Sequence, residues 1–147
     1  MTRFTRFGSL AVTVLVLSTA ALLAKERPHS FKGAGQFLPN QTDFISSGTA
    51  THLGKFTEEG SITDIQPGGE PGVFLITAWA IQTAADGDEL HEIISGQLNF
   101  LTGAGSATIT YVGGTGRFEN ASGSASLQIQ LGPDGTFTYR GAGVIDF

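Results

Sequence analysis

The stretch GGTGRFENASGSA, residues 113–125, places six glycines or serines close to a single Arg-Phe pair. An earlier stretch, GTATHLGKFTEEGS at residues 48–61, repeats the order glycine, basic residue, phenylalanine and later glycine. Glycines inside β-strands mark bulges and sharp bends, which a small barrel needs where its strands turn. Both stretches are therefore predicted to be corners of a small β-barrel.

These corners also predict side-chain positions. The two phenylalanines, Phe56 and Phe118, should plug an end of the barrel, whereas Lys55 and Arg117 should face water. The competing interpretation is a phosphate-binding loop, which requires Lys and then Ser or Thr after its last glycine, followed by a helix. Gly116 is instead followed by Arg-Phe and by a predicted strand, so the sequence favours the corner.

The rest of the chain consists of short β-type runs separated by turns. Residues 44–56 form a long Thr- and Ser-rich run, and residues 73–83, VFLITAWAIQT, are apolar on both faces, as in a strand covered on both sides. Asp86-Gly87 predicts a hairpin, and residues 133–135, Pro-Asp-Gly, predict a turn. We count seven or eight strands and predict an all-β fold, an eight-stranded antiparallel β-barrel.

The N-terminus has the order of a secretory signal peptide. Arg3 and Arg6 precede an apolar run, and Ala24 is a small residue at which cleavage could occur. We predict a signal peptide over residues 1–24, one domain over residues 25–147, and a secreted or periplasmic location. The run is short for a membrane span, and an uncleaved anchor is the alternative.

Charge limits the classes of partner. Removing Arg3 and Arg6 from the 8 basic residues leaves 6 against 13 acidic residues, and there is no cysteine. Such a surface repels phosphate backbones, so we expect no nucleic-acid partner. An anionic membrane surface is disfavoured for the same reason. We also expect no membrane span in the mature chain.

Few residues carry a recognisable chemical pattern. No two of the three histidines share a metal-ligand spacing, and the segment at residues 86–92 lacks the ligand pattern of a calcium loop. We therefore expect no metal and no cofactor. His52 lies beside a predicted corner and could face the interior. Three carboxylates could act in acid–base chemistry if they point inward, although surface exposure is the expectation for each: Asp43, Asp64 and Glu92.

The order Val-Gly-Gly-Thr-Gly-Arg-Phe at residues 112–118, followed by Ala121, Gly123 and Ala125, resembles the dirigent proteins and the wider allene oxide cyclase barrel group. The resemblance implies an eight-stranded antiparallel barrel with an apolar central cavity, assembled as a homotrimer. Dirigent proteins steer the coupling of phenoxy radicals, and allene oxide cyclases close a ring in a fatty-acid epoxide.

Together these features predict an exported barrel of the allene oxide cyclase or dirigent-like type that binds a small apolar molecule in its lumen. One alternative is a cyclase or isomerase that uses the same lumen, with His52 or an inward carboxylate as acid–base group. Another is an outer-membrane barrel, and a third is a barrel filled by its own side chains. The candidate lumen residues are His52, Phe74, Trp79, Phe100, Tyr111, Phe137 and Tyr139.

Overall fold

The computed structural model describes residues 25–147, so the predicted signal peptide lies outside the described residues. Eight antiparallel strands follow one another around a closed barrel, in which β8 returns to pair with β1. This confirms the predicted fold class. The strands are β1 (Arg27–Phe37), β2 (Asp43–Ala50), β3 (Gly54–Pro67), β4 (Val73–Ala84), β5 (Glu89–Asn99), β6 (Ala104–Gly114), β7 (Ser122–Leu131) and β8 (Thr136–Asp146).

Two single-turn 3₁₀ helices interrupt the strands, Gly116–Phe118 before β7 and Pro133–Gly135 before β8. The second of these is the predicted turn at residues 133–135. The hairpin at Asp86-Gly87 is also confirmed, because Gly87 has a φ of 92° in the connection between β4 and β5. Within residues 25–147 no helix has the length and apolar character needed to cross a bilayer.

Two sequence-based expectations about strands are wrong. The run at residues 44–56 is two strands, because a turn at residues 51–53 separates β2 from β3, and His52 within it has a φ of 73°. Strand β4 is covered on one side only. Its inner face carries Ile76 and the buried residues Ala78, Ala80 and Gln82, whereas Leu75 and Trp79 point outward and are exposed.

Strand β8 shows how the interior is filled. Phe137, Tyr139 and Ile145 point inward and are buried, and Gly141 lies between them on the same face. The Phe31 ring, from β1, lies directly over Gly141, in space that a β-carbon at position 141 would occupy. Aromatic rings and glycines therefore alternate across the β1–β8 seam, which lets large side chains fit into a narrow barrel.

Replacing Gly141 with alanine should lower the free energy of unfolding by about 1–3 kcal/mol, because the new methyl group would overlap the Phe31 ring and the Ser126 carbonyl oxygen. Denaturant unfolding followed by circular dichroism measures this loss. Gly69→Ala is the matched control, since a β-carbon there would meet no atom within 4 Å. Equal stability of the two variants would contradict this packing.

One end of the barrel, called here the closed end, holds the first residues of β1 and the turn at residues 51–53. Phe118 is fully buried there, Phe56 and Leu53 are also buried, and the Phe118 ring lies 5.0 Å from that of Phe147. The prediction that Phe56 and Phe118 plug an end is thus confirmed.

The basic residues of the two corners differ. Lys55 is exposed, as predicted. Arg117 does not simply face water, because its guanidinium pairs with Asp86 and with Asp88, the latter at 2.8 Å. It also donates a hydrogen bond of 3.0 Å to the His52 carbonyl oxygen. Arg117 therefore ties the 3₁₀ turn to two other connections at the closed end.

Candidate functional site

A band of polar side chains crosses the barrel interior at mid-height, and we call it the polar belt. Strand register sets it, because the members face each other across neighbouring strands: Ser46 is paired with Glu58, Glu58 with Gln82, and Glu92 with Tyr111. A polar residue on an inward position of a barrel usually has a hydrogen-bond partner inside, because burial without one is costly. The polar belt consists of Ser46, Glu58, Gln82, Glu92, Tyr111 and Tyr139.

Glu58 is the well-bonded member of the polar belt. Its two carboxylate oxygens accept hydrogen bonds of 3.0 Å from the Ser46 hydroxyl and from the Gln82 side-chain amide. Because the Ser46 proton is directed to Glu58, the Tyr139 hydroxyl donates to Ser46 at 2.7 Å. Burial raises the pKa of Glu58, and the two donated hydrogen bonds oppose that rise.

Glu92 is the carboxyl group of the polar belt that has no hydrogen-bond partner, and the Tyr111 hydroxyl also lacks one. Glu92 is 1 % exposed, and neither of its carboxylate oxygens has a hydrogen-bond partner. Burial, and next the neighbouring charge of Glu58, raise the pKa of Glu92 well above its ordinary value. Since Glu58 receives two donors and Glu92 none, the pair is arranged to hold one charge on Glu58 and one proton on Glu92.

A cavity of about 100 Å³ extends from the polar belt toward the end opposite the closed end. Its walls are aromatic and aliphatic, and its polar lining in the interior comes from Glu58, Gln82, Glu92 and Tyr139. The side-chain oxygen of Gln82, like the Glu92 carboxyl, has no hydrogen-bond partner. The cavity therefore combines an apolar wall with unpartnered hydrogen-bonding atoms at one place, which is the usual composition of a small-molecule site.

Toward the closed end, the Tyr111 ring makes an edge contact with His29, at 5.4 Å between ring centroids. His29 is 2 % exposed, and neither ring nitrogen has a hydrogen-bond partner. Burial, and next the neighbouring His52 ring stacked on it at 5.9 Å, lower the pKa of His29 to about 4. His29 is thus neutral at pH 7 and extends the line of buried polar groups behind the polar belt.

Three of the predicted lumen residues point into the barrel interior at mid-height. Phe137 and Tyr139 line the cavity, and Tyr111 belongs to the polar belt on its closed-end side. Phe74 lies near the opposite end, half-buried, with its ring 5.3 Å from that of Phe100. Whether any of them binds a ligand stays a prediction.

The other predicted lumen residues need correction. Trp79 is 38 % exposed on the outer face of β4, because the inner face belongs to the residues of opposite parity, Ala78 and Ala80. Phe100 lies in a connection and is 51 % exposed. His52 lies in the turn between β2 and β3, where its Nε2 is 3.0 Å from the Pro28 carbonyl oxygen, so it does not line the cavity.

Among the carboxylates, Asp64 is exposed and Asp43 is half-buried at the start of β2, where Asn40 donates to it. Glu92 is buried, so the expectation that it is exposed on the surface is wrong. Glu58 was not singled out by the sequence analysis, although a signal exists: it lies two residues after Phe56, on the face that the plug prediction turns inward. Ser46, Gln82 and His29 were missed as well.

No protein-family model, curated protein or solved structure matches this chain. The resemblance to the allene oxide cyclase and dirigent barrels therefore stays a prediction beyond the fold class. No group of three or more metal-ligating side chains comes together within residues 25–147.

Proposed function

We propose that this protein is an exported binding protein that holds one small, largely apolar molecule in its lumen. The observation that carries the proposal is the cavity itself, in which apolar walls end at the unpartnered oxygens of Glu92 and Gln82. Buried polar atoms without partners are costly, and a ligand that supplies a partner recovers that cost. A barrel filled by its own side chains would leave neither the space nor the free oxygens.

Filling the cavity should abolish binding and leave the fold intact. Ala78 is buried and lines the cavity, so Ala78→Leu adds three carbon atoms to the ligand space. We expect at least a tenfold loss of affinity for 1-pentanol, read from the chemical shifts of the Ile109 and Ala107 methyl groups, which also line the cavity. Ala34→Leu, on an exposed position of β1, is the matched control.

Two outcomes would count against the proposal: unchanged affinity in Ala78→Leu, or wild-type protein whose cavity methyl groups do not respond to the probe. Native mass spectrometry of the purified protein complements the titration, because a retained molecule would give its mass directly. The same spectrum tests the predicted homotrimer, and purification without detergent tests the outer-membrane alternative. Charged side chains on the outer faces of the strands, at Lys32, Glu59 and Arg140, support aqueous surroundings.

A second candidate function, an isomerase or cyclase, is favoured by the two buried carboxyl groups in the cavity lining, because burial raises the pKa of Glu92 well above its ordinary value. A carboxylic acid that keeps its proton near neutral pH can act as a general acid, and its partner can accept a proton. His52 lies outside the cavity, so it does not fit the predicted role of acid–base group. Glu92, the inward carboxyl group, takes that role. Deuterium exchange at the α-carbons of cyclopentanone in D₂O tests this reading. Exchange that is no faster with wild type than with Glu92→Gln would remove it.

A further inference from the structure

We propose that the lumen ligand is a small apolar amine, bound in its protonated form with its ammonium group on the polar belt. This inference rests on the proposed function and deepens it by naming the chemical class of the ligand. Three observations support it: the charge of the residues that line the cavity, the hydrogen-bonding atoms that have no partner, and the size of the cavity.

The first step concerns charge. Two buried carboxyl groups, Glu58 and Glu92, line the cavity, and no Lys or Arg is among the lining residues within the described part of the chain. The hydrogen bonds from Ser46 and Gln82 favour one negative charge on Glu58. An uncompensated charge in an apolar interior is expensive, and one cation from outside would balance it.

The second step concerns the free hydrogen-bonding atoms. Three unpartnered oxygens line the cavity, namely both carboxyl oxygens of Glu92 and the side-chain oxygen of Gln82, whereas the unpartnered Tyr111 hydroxyl lies outside the cavity lining. The Gln82 oxygen and the carbonyl oxygen of protonated Glu92 can accept hydrogen bonds, and an ammonium group carries three N–H donors and no acceptor. A ligand carboxylate offers only acceptors, which the polar belt already has in excess, and would add a second negative charge.

The third step concerns size. A dry, engineered apolar cavity of about 150 Å³ holds benzene, so the cavity of about 100 Å³ found here suits a compact ligand with a short hydrocarbon body. The walls that would meet this body are apolar, including Phe44, Ile109 and Leu127. The ammonium group thus matches the polar belt, and the short hydrocarbon chain matches the apolar walls.

The test compares three molecules with the same chain and different head groups: n-pentylamine, 1-pentanol and sodium pentanoate, each titrated into the purified protein at pH 7. Methyl chemical shifts of Ala78, Ala107 and Ile109 report occupation of the cavity, and those of exposed Ala34 report surface binding. We expect pentylamine to bind at least tenfold more tightly than pentanol, and pentanoate to cause no shift of the cavity methyl groups.

The double variant Glu58→Gln/Glu92→Gln keeps the shape of both side chains and removes both carboxyl groups. We expect the advantage of pentylamine over pentanol to disappear in this variant, so that the two molecules bind with equal affinity. Pentanol binding as tightly as pentylamine to wild type, or an amine advantage that survives in the double variant, would overturn the inference and leave the proposed function standing. A cavity that responds to none of the three molecules would overturn both. If the double variant does not fold, the wild-type series alone decides.

Discussion

Replacing Phe118 with alanine should lower the free energy of unfolding by about 3–5 kcal/mol, the usual cost of removing a fully buried aromatic ring. Phe118 is 0 % exposed and is the one buried residue of its single-turn helix. The ring fills the closed end from within, so its loss leaves a hole that a short turn cannot close. Guanidinium unfolding at pH 7 measures the change.

Phe100→Ala is the matched control for this variant, because Phe100 is an aromatic residue in a connection and is half exposed. Its replacement should cost less than about 1.5 kcal/mol, which reflects loss of the contact with Phe74. If both variants lose the same free energy, the closed end is not a packed plug. If Phe118→Ala is as stable as wild type, the packing described for the closed end is contradicted.

Glu92→Gln should become more stable relative to wild type as the pH rises from 5 to 8. The native-state pKa of Glu92 is raised, mainly by burial, so the folded state holds a proton that the unfolded state has already released above about pH 4.5. The contribution of Glu92 to stability is therefore present below its unfolded pKa and is lost as the pH rises. The difference between the two proteins should grow by at most about 1.4 kcal/mol per pH unit.

Urea unfolding of both proteins at several pH values measures this difference. His29 has a lowered pKa and acts in the opposite sense, because its contribution is present above about pH 6.5 and is lost as the pH falls toward 4. It acts equally on both proteins, so it cancels in the comparison. Glu59→Gln, an exposed carboxylate on the same strand as Glu58, should show no such trend. A difference that stays flat from pH 5 to 8 would show that Glu92 is ionised in the folded protein.

Much of the architecture could be predicted because glycine and turn chemistry act locally. The Asp86-Gly87 hairpin and the turn at residues 133–135 each depend on neighbouring residues. The turn at residues 51–53 escaped prediction. It places His52 in the left-handed region, so the predicted corner at Gly54 begins within the Thr- and Ser-rich run and divides it into β2 and β3.

The site was harder to predict because a period of two identifies two faces of a strand but not which one points inward. On β4 the large residues Leu75 and Trp79 suggested a covered face, yet the inside of the barrel has room only for Ala78, Ala80 and Gln82 there. The bonding of Glu58 to Ser46 and Gln82 depends on the pairing of three strands. This pairing register is a property of the closed barrel, and it cannot be predicted from the sequence of any single strand.

The seam between β1 and β8 also governs how the chain reaches its folded state. Phe31 pairs with Gly141, and its ring lies 6.3 Å from that of Tyr139, so residues from the two ends of the described chain meet in the interior. Contacts of such high sequence separation are entropically slow to form and come late in folding. All eight strands can pair in succession as hairpins before the seam between β1 and β8 closes. The cavity, whose walls include Phe31 and Phe137, therefore exists only after that last step, and a nascent or partly folded chain has no place for a ligand.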